Sequence, residues 1–195
     1  MSETIKIIND FLSSYNARLG WDVDRMDRTR VLLPQLLNLV DGDILEIGAH
    51  RGHTTKILCE IAAKFSRNVY VLDPWDGRQD GNPDVYSEFL GSIASFGNCI
   101  VRRCGSESNE ALKAVCDQKF AYVLIDGLHG YDAVRIDFTR YREFVNLNGV
   151  ICIDDWTGPY VFSQQIQQAV IDNLTDNYVL LQAPDSLIER YVVRV

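Results

Sequence analysis

The sequence is short of basic residues: 19 lysines and arginines stand against 27 aspartates and glutamates, a formal charge of -8 over 195 residues. An acidic surface repels the phosphate backbone that dominates nucleic-acid affinity, which argues against DNA or RNA as a partner. Cysteine pairs are also missing. The five cysteines, Cys59, Cys99, Cys104, Cys116 and Cys152, are odd in number and never spaced as C-x-x-C, and Cys152 sits in an apolar run. That usage argues against a disulfide framework and predicts a reducing, cytoplasmic compartment. The first residues, MSETIKIINDFL, lack the basic, apolar and small-residue blocks of a secretory leader, and no apolar run approaches the ~20 residues of a membrane span. The expectation is a soluble, unexported protein with no membrane partner. Internal repeats and low-complexity tracts are absent as well.

What is present is ordinary globular composition, 47% hydrophobic and 24% charged, enough for one packed domain over 1–195. A chain of this size buries roughly 70% of its unfolded surface, so it needs no metal to stay folded, and a metal here would serve chemistry. From residue 43 onward, short apolar runs alternate with longer amphipathic segments, the pattern of β-α units winding into a parallel sheet. Strands are predicted at 44–48, 69–73, 99–103, 122–126, 150–154, 178–182 and 187–193. Crossover helices are predicted at 53–64, 84–95, 107–116 and 132–145. The last two strands are joined by only four residues, 183–186, too few for a parallel crossover, so that pair should be antiparallel. Residues 3–18 and 27–40 read as a helical cap over 1–42, with Pro34 kinking the second helix or starting its ordered part. The turn-rich stretch 74–84 reads as a mobile loop beside the ligand edge.

In open α/β sheets ligands bind outside the carboxyl ends of the strands, near the point where strand order reverses. Acids recur there: Glu46 near the end of the first strand, Asp73 at the second, Asp126 at the fourth, Asp154 and Asp155 at the fifth. The glycine turn DILEIGAHRGHTT breaks the dinucleotide fingerprint, because G-x-G-x-x-G begun at Gly48 would need glycine where His50 and His53 stand. Its spacing is E-x-G-x-x-x-G, over Glu46, Gly48 and Gly52. An acid beside the loop would repel a pyrophosphate. S-adenosylmethionine has no phosphate, and its ammonium and sulfonium suit an acid while its carboxylate suits the backbone N–H groups at a helix start formed by His53, Thr54 and Thr55.

The blocks EIGAHRG, VLDPWDG, LIDGLHGYDAVRIDF and NGVICIDDW, within residues 43–156, resemble the class I S-adenosylmethionine methyltransferases. The last two are similar to metal-dependent sugar O-methyltransferases of the macrocin and mycinamicin type, and more distantly to catechol O-methyltransferase. The resemblance implies an α/β Rossmann-like fold, doubly wound, with a mostly parallel seven-stranded sheet and one antiparallel strand near the C-terminus. It implies that Asp73 binds the ribose hydroxyls, Glu46 and Gly48 the methionine part, and Ser106 the adenine side, with Gly52, His53, Thr54 and Asp126 completing the cofactor contacts.

Asp126, Asp154 and Asp155 offer only oxygen, the donor set of Mg²⁺ or another hard divalent cation, and the resemblance implies the same three as metal ligands. The alternative is that Asp155 caps the helix beginning near residue 160 and Asp154 accepts cofactor or backbone hydrogen bonds. His129, three residues after Asp126, matches the position of the catalytic histidine in the sugar enzymes and is expected to take the acceptor's proton. His50 and His53 are read as loop structure, and Tyr131 and Trp156 as substrate contacts or core. The expected function is methylation of a hydroxyl on a small molecule, a sugar or natural product, using S-adenosylmethionine and Mg²⁺. Two other readings stay open, a metal-independent enzyme acting on an amine or carboxylate and a non-catalytic cofactor-binding module. Specificity must come from the cap, the 74–84 loop, the segment after Trp156 or a partner subunit, which leaves room for a homo-oligomer.

Overall fold

A computed structural model describes residues 2–18, 25–77, 81–158, 161–183 and 188–195, apart from the side chains of 15–18 and 25–26. Two helices, α1 (Glu3–Arg18) and α2 (Arg25–Leu39), lead into β1 (Asp43–Ile47), α3 (His53–Lys64), β2 (Val69–Asp73), α4 (Val85–Ile93) and β3 (Cys99–Arg103). There follow α5 (Asn109–Val115), β4 (Phe120–Ile125), α6 (Tyr131–Tyr141), β5 (Val145–Ile153), α7 (Val161–Asp172), β6 (Tyr178–Leu180) and β7 (Arg190–Arg194). The seven strands lie in the order β3-β2-β1-β4-β5-β7-β6. From β1 the chain winds outward to β3, then returns to lay β4 on the other side of β1, so strand order reverses between β1 and β4. That reversal opens a crevice at the carboxyl ends of the two central strands.

Each strand alternates its side chains between two cores. Ile44 faces the layer built by α1–α4, with Ile8, Leu36, Leu58 and Phe89, and Leu45 faces the layer built by α5–α7, with Val115, Phe138 and Ile166. Glu46 therefore points to the α3 side, an alternation that matters for the site. No helix among the described residues is long and apolar enough to cross a membrane.

The sheet is parallel except for β7, which pairs antiparallel with both β5 and β6. The reversed strand expected near the C-terminus is thus present, one place in from the edge. The short connection 184–187 lies outside the described residues, as does the first residue of the strand predicted at 187–193. Ile188 and Glu189 are not in the strand, because the Ile188 carbonyl accepts the Trp156 amide at 2.6 Å and Glu189 pairs with Arg28. The helix predicted at 132–145 ends at Tyr141 and passes through a 3-10 turn, Arg142–Phe144, into β5. β5 starts five residues earlier than predicted, since Val145 pairs with Phe120 across a register shift before Val150 pairs with Tyr122. The helix predicted at 107–116 begins at Asn109 because the Ser108 hydroxyl caps it, accepting the Ala111 amide at 3.0 Å. Pro34 neither starts nor ends α2. The helix runs through it while Leu32, Leu33, Leu36 and Leu37 are sealed in the core, burial that offsets the lost backbone bond.

Candidate active site

The glycine turn is shaped by contact with the neighbouring strand. Gly48 has φ +85°, and a Cβ there would stand 2.1 Å from the Asp126 carbonyl oxygen, so the backbones after β1 and β4 meet where no side chain fits. Gly52, φ +79°, is the N-cap of α3, and Lys56 N–H to Gly52 carbonyl at 2.9 Å begins the helical ladder. The amides of His53, Thr54 and Thr55 thus lie in the first turn, which has no intrahelical acceptor for them. Thr54 is buried and the His53 side chain exposed. Glu46, fully buried, accepts the Thr55 hydroxyl at 2.5 Å, a contact made because strand alternation turns Glu46 toward α3.

Asp73 ends β2 and ties the turn down. Its Oδ2 accepts the amides of Ala49 at 2.8 Å and His50 at 3.0 Å, and its Oδ1 accepts that of Trp75 at 2.7 Å. A carboxylate offers about four lone-pair sites, so three amides leave room for a further donor. Trp75 is itself structural: its Nε1–H donates to the His50 carbonyl at 2.7 Å and its ring packs on Phe89 at 4.4 Å. Three of the non-glycine residues with positive φ, His50, Trp75 and Asp155, lie at this edge of the sheet, the pattern of strain held where a ligand is gripped.

Two cavities meet at the crevice and share Gly48, His50 and Asp126. The smaller, about 170 Å³, is polar and lined by Glu46, Arg51, His53 and Thr54 among others. The larger, about 500 Å³, runs past Asp73 and Trp75 to Ser106, with His129 at one side. The far wall at 106–108 is strapped to α6: Tyr141 donates its hydroxyl to the Ser106 carbonyl at 2.6 Å, and Arg140 Nη1 donates to the carbonyls of Glu107 at 2.7 Å and Ser108 at 2.9 Å.

At the side of this cavity, donor atoms of Asp126, His129 and Asp155 lie within 4.8 Å of one another, a grouping able to hold a cation. Asp126 follows β4, its amide bonded to the Ile47 carbonyl at 2.8 Å. Asp155 is brought round by a left-handed turn, φ +51°, after β5. The His129 ring stacks on Phe162, centroids 4.8 Å apart, and its Nε2 stands 3.1 Å from Asp155 Oδ2. Of the expected ligands, Asp126 and Asp155 are brought together, while Asp154 lies outside the group with its amide on the Ile125 carbonyl and Oδ1 sealed from solvent. Trp156 is buried with its amide on Ile188, and the Tyr131 hydroxyl is turned to Asp172 at 3.0 Å.

One residue that sequence reasoning passed over is Asp137, 2% exposed, which lines the larger cavity. A signal was available. Val134, Asp137, Phe138 and Tyr141 fall at i, i+3, i+4 and i+7 on the buried face of α6, and an acid in such a stripe is out of place. Burial pushes its carboxyl up to about 7, the Ser106 hydroxyl acting to lower it and Glu107 to raise it. An unfolded aspartate titrates near ~3.9, so the native state keeps a proton that the unfolded chain gives up. Stability should therefore fall as pH rises from about 4 through 7. Asp137→Asn removes the penalty, and in urea titrations the variant should gain on the wild type with rising pH, reaching at most about 4 kcal/mol above pH 7. A constant difference from pH 5 to 8 would contradict this.

A family profile described as a methyltransferase domain matches residues 45–156. The chain belongs to the methyltransferase-domain family. The matched span opens inside β1 and closes at Trp156, so it takes in the glycine turn, Asp73 and the Asp126, His129 and Asp155 group of the methyltransferase. No curated protein matches the chain. Among solved structures, the fold is shared with CalS11, described as a TDP-rhamnose 3'-O-methyltransferase of calicheamicin biosynthesis, at TM-score 0.65 and 16% identity, over 98% of this chain and 93% of that one. An O-methyltransferase from Bacillus cereus in complex with SAH has TM-score 0.62 and 14% identity over 100% and 91% of the two chains. The O-methyltransferase NovP has TM-score 0.58 and 17% identity over 87% and 79%.

Proposed function

We propose that this methyltransferase transfers the methyl group of S-adenosylmethionine to a hydroxyl of a small molecule, a sugar or a sugar-bearing natural product, with a divalent cation held beside the cofactor. The observation that carries the reading is the pair of joined cavities with the Asp126, His129 and Asp155 group at their side. The smaller cavity suits the amino-acid end: Glu46 and Asp126 face an ammonium, and the first-turn amides of α3 face a carboxylate. Asp73, with acceptor capacity left, suits the ribose hydroxyls, and the wall at Ser106 bounds the base. Bound there, the cofactor supplies an electrophilic methyl on a sulfonium.

The two carboxylates of this group fit Mg²⁺ or Mn²⁺, and such a cation would lower the pKa of an alcohol held beside it. In this reading Asp126 and Asp155 would hold the ion. His129 takes the acceptor's proton at Nε2, and Asp155 Oδ2, 3.1 Å away, stabilises the imidazolium. Phe162 fixes the plane of the ring. The whole chain acts as one cytoplasmic domain on a small-molecule acceptor, without nucleic acid or membrane.

Calorimetry with S-adenosylhomocysteine and Mn²⁺ tests the reading without knowing the acceptor. Asp73→Ala should weaken S-adenosylhomocysteine roughly ten- to a hundredfold, as expected for lost hydrogen bonds to a charged group. Asp126→Ala and Asp155→Ala should abolish Mn²⁺ binding, and His129→Ala should leave it in place. Loss of Mn²⁺ in the His129 variant would make that residue a ligand and remove it as the base. No uptake of S-adenosylhomocysteine by the wild type would end the cofactor assignment.

A further inference from the structure

Asp137 stands apart from the residues so far given a role. It lines the larger cavity together with Gly105, Ser106 and Glu107, none of which lines the polar pocket that contains Glu46. Its Oδ1 is sealed from water with no hydrogen-bond partner among the described residues. Oδ2 lies against the backbone, 3.3 Å from where a Cβ on Gly127 would be. The same cavity is also lined by the apolar Leu72, Pro74, Ala133 and Ile136. Such a lining suits a flat apolar ring, and a buried acceptor in the same wall calls for a donor.

We infer that Asp137 is a specificity-determining residue which accepts a hydrogen bond from the exocyclic amino group of the cofactor's adenine. The inference rests on the S-adenosylmethionine reading and adds to it. The cofactor's positive groups lie at the Glu46 end and its ribose hydroxyls at Asp73, so the amino group is the donor left for the base end. The Cβ–Cγ torsion of an aspartate is soft, so either oxygen can be turned to the cavity. The titratable and charged groups around the carboxyl are Glu107 on the loop after β3 and, from α6, Arg140 and Tyr141. The Ser106 hydroxyl lies beside the carboxyl as well, yet Oδ1 is left without a donor among the described residues. An amino group arriving there favours the ionised carboxylate, so binding near neutral pH should expel a proton from Asp137.

The test compares S-adenosylhomocysteine with its 6-deamino analogue, in which purine replaces adenine, by calorimetry on the wild type, Asp137→Ala and Asp137→Asn. The wild type should prefer the adenine ligand by about tenfold or more, the effect of one hydrogen bond to a charged acceptor. Asp137→Ala should bind the two alike, and Asp137→Asn, which keeps a neutral acceptor, should fall between. A structural role alone would weaken both ligands by the same factor and leave the preference intact, which overturns the inference while the cofactor reading stands. Absence of binding by either ligand to the wild type overturns both. Should the alanine variant fail to fold, the wild type decides alone. Titrations at pH 7 in buffers of different ionisation enthalpy should show release of up to about half a proton with S-adenosylhomocysteine and much less with the deamino analogue. Equal release with the two ligands refutes the contact.

Discussion

Arg28→Met is expected to lower the unfolding free energy by about 3–5 kcal/mol, the cost of leaving one charge of a buried pair uncompensated. Arg28 on α2 meets Glu189 through two bonds, Nε to Oε1 at 2.5 Å and Nη2 to Oε2 at 2.6 Å, with side chains 6% and 1% exposed. Tyr191 adds its hydroxyl to Oε1 at 3.1 Å. Removing the guanidinium strands a carboxylate in the core. The double variant Arg28→Met/Glu189→Leu should recover most of the loss, because an apolar pair of similar volume avoids the desolvation of both ions. Urea unfolding of the two variants checks this, and a single variant within about 1 kcal/mol of wild type would refute it. The pair also has a consequence for the site. Glu189 follows Ile188, whose carbonyl holds the amides of Trp156 at 2.6 Å and Thr157 at 3.3 Å, directly after Asp155. The helical cap is thereby connected, through three contacts, to the turn that carries a proposed metal ligand.

Gly48→Ala should cost more than 4 kcal/mol, beyond the usual range for a single substitution, and remove S-adenosylhomocysteine binding from any protein that still folds. The added Cβ would stand 2.1 Å from the Asp126 oxygen, 2.5 Å from its carbonyl carbon and 2.7 Å from the Gly127 Cα. All three are backbone atoms on the adjacent central strand's exit, so relief requires β1 and β4 to part. Gly52→Ala provides the comparison. Its Cβ would meet the Ser92 hydroxyl at 2.3 Å and Phe89 at 2.9 Å, both side chains, of which the serine can rotate away. Gly81→Ala, with φ +68° and nothing within 4 Å, should cost only the ~1 kcal/mol of a left-handed alanine. Melting temperatures should therefore fall in the order Gly81→Ala, Gly52→Ala, Gly48→Ala, the last lowest. A Gly48 variant that melts and binds like wild type would mean the two strand exits are not in contact.

The order of elements was legible because it depends on local chemistry. Apolar runs bounded by turn residues gave β2 and β3 at their observed limits, and the amphipathic run after Gly52 gave α3. Boundaries moved where a contact from elsewhere intervened. Val145 joined β5 because Phe120 was there to pair with it, and Ile188 and Glu189 left β7 because Trp156 and Arg28 claimed their polar groups. The acids at the crevice were legible too, since residues closing parallel strands share one edge whatever the helices do.

By itself the sequence determined the parallel α/β architecture with one reversed strand, the carboxyl-edge crevice, and Glu46, Gly48, Asp73 and Asp126 as residues lying at it. Those follow from period-two and helical patterning and from glycine's freedom to take positive φ, properties each segment carries alone. Only the tertiary structure decided which donor atoms meet. The left-handed turn at Asp155 sets it beside Asp126 and His129 and leaves Asp154 outside their group. The packing of α6 against the sheet buries Asp137 in the wall of the larger cavity and raises its pKa. Side-chain direction and desolvation depend on neighbours distant in the chain, and spacing along one strand or helix does not contain them.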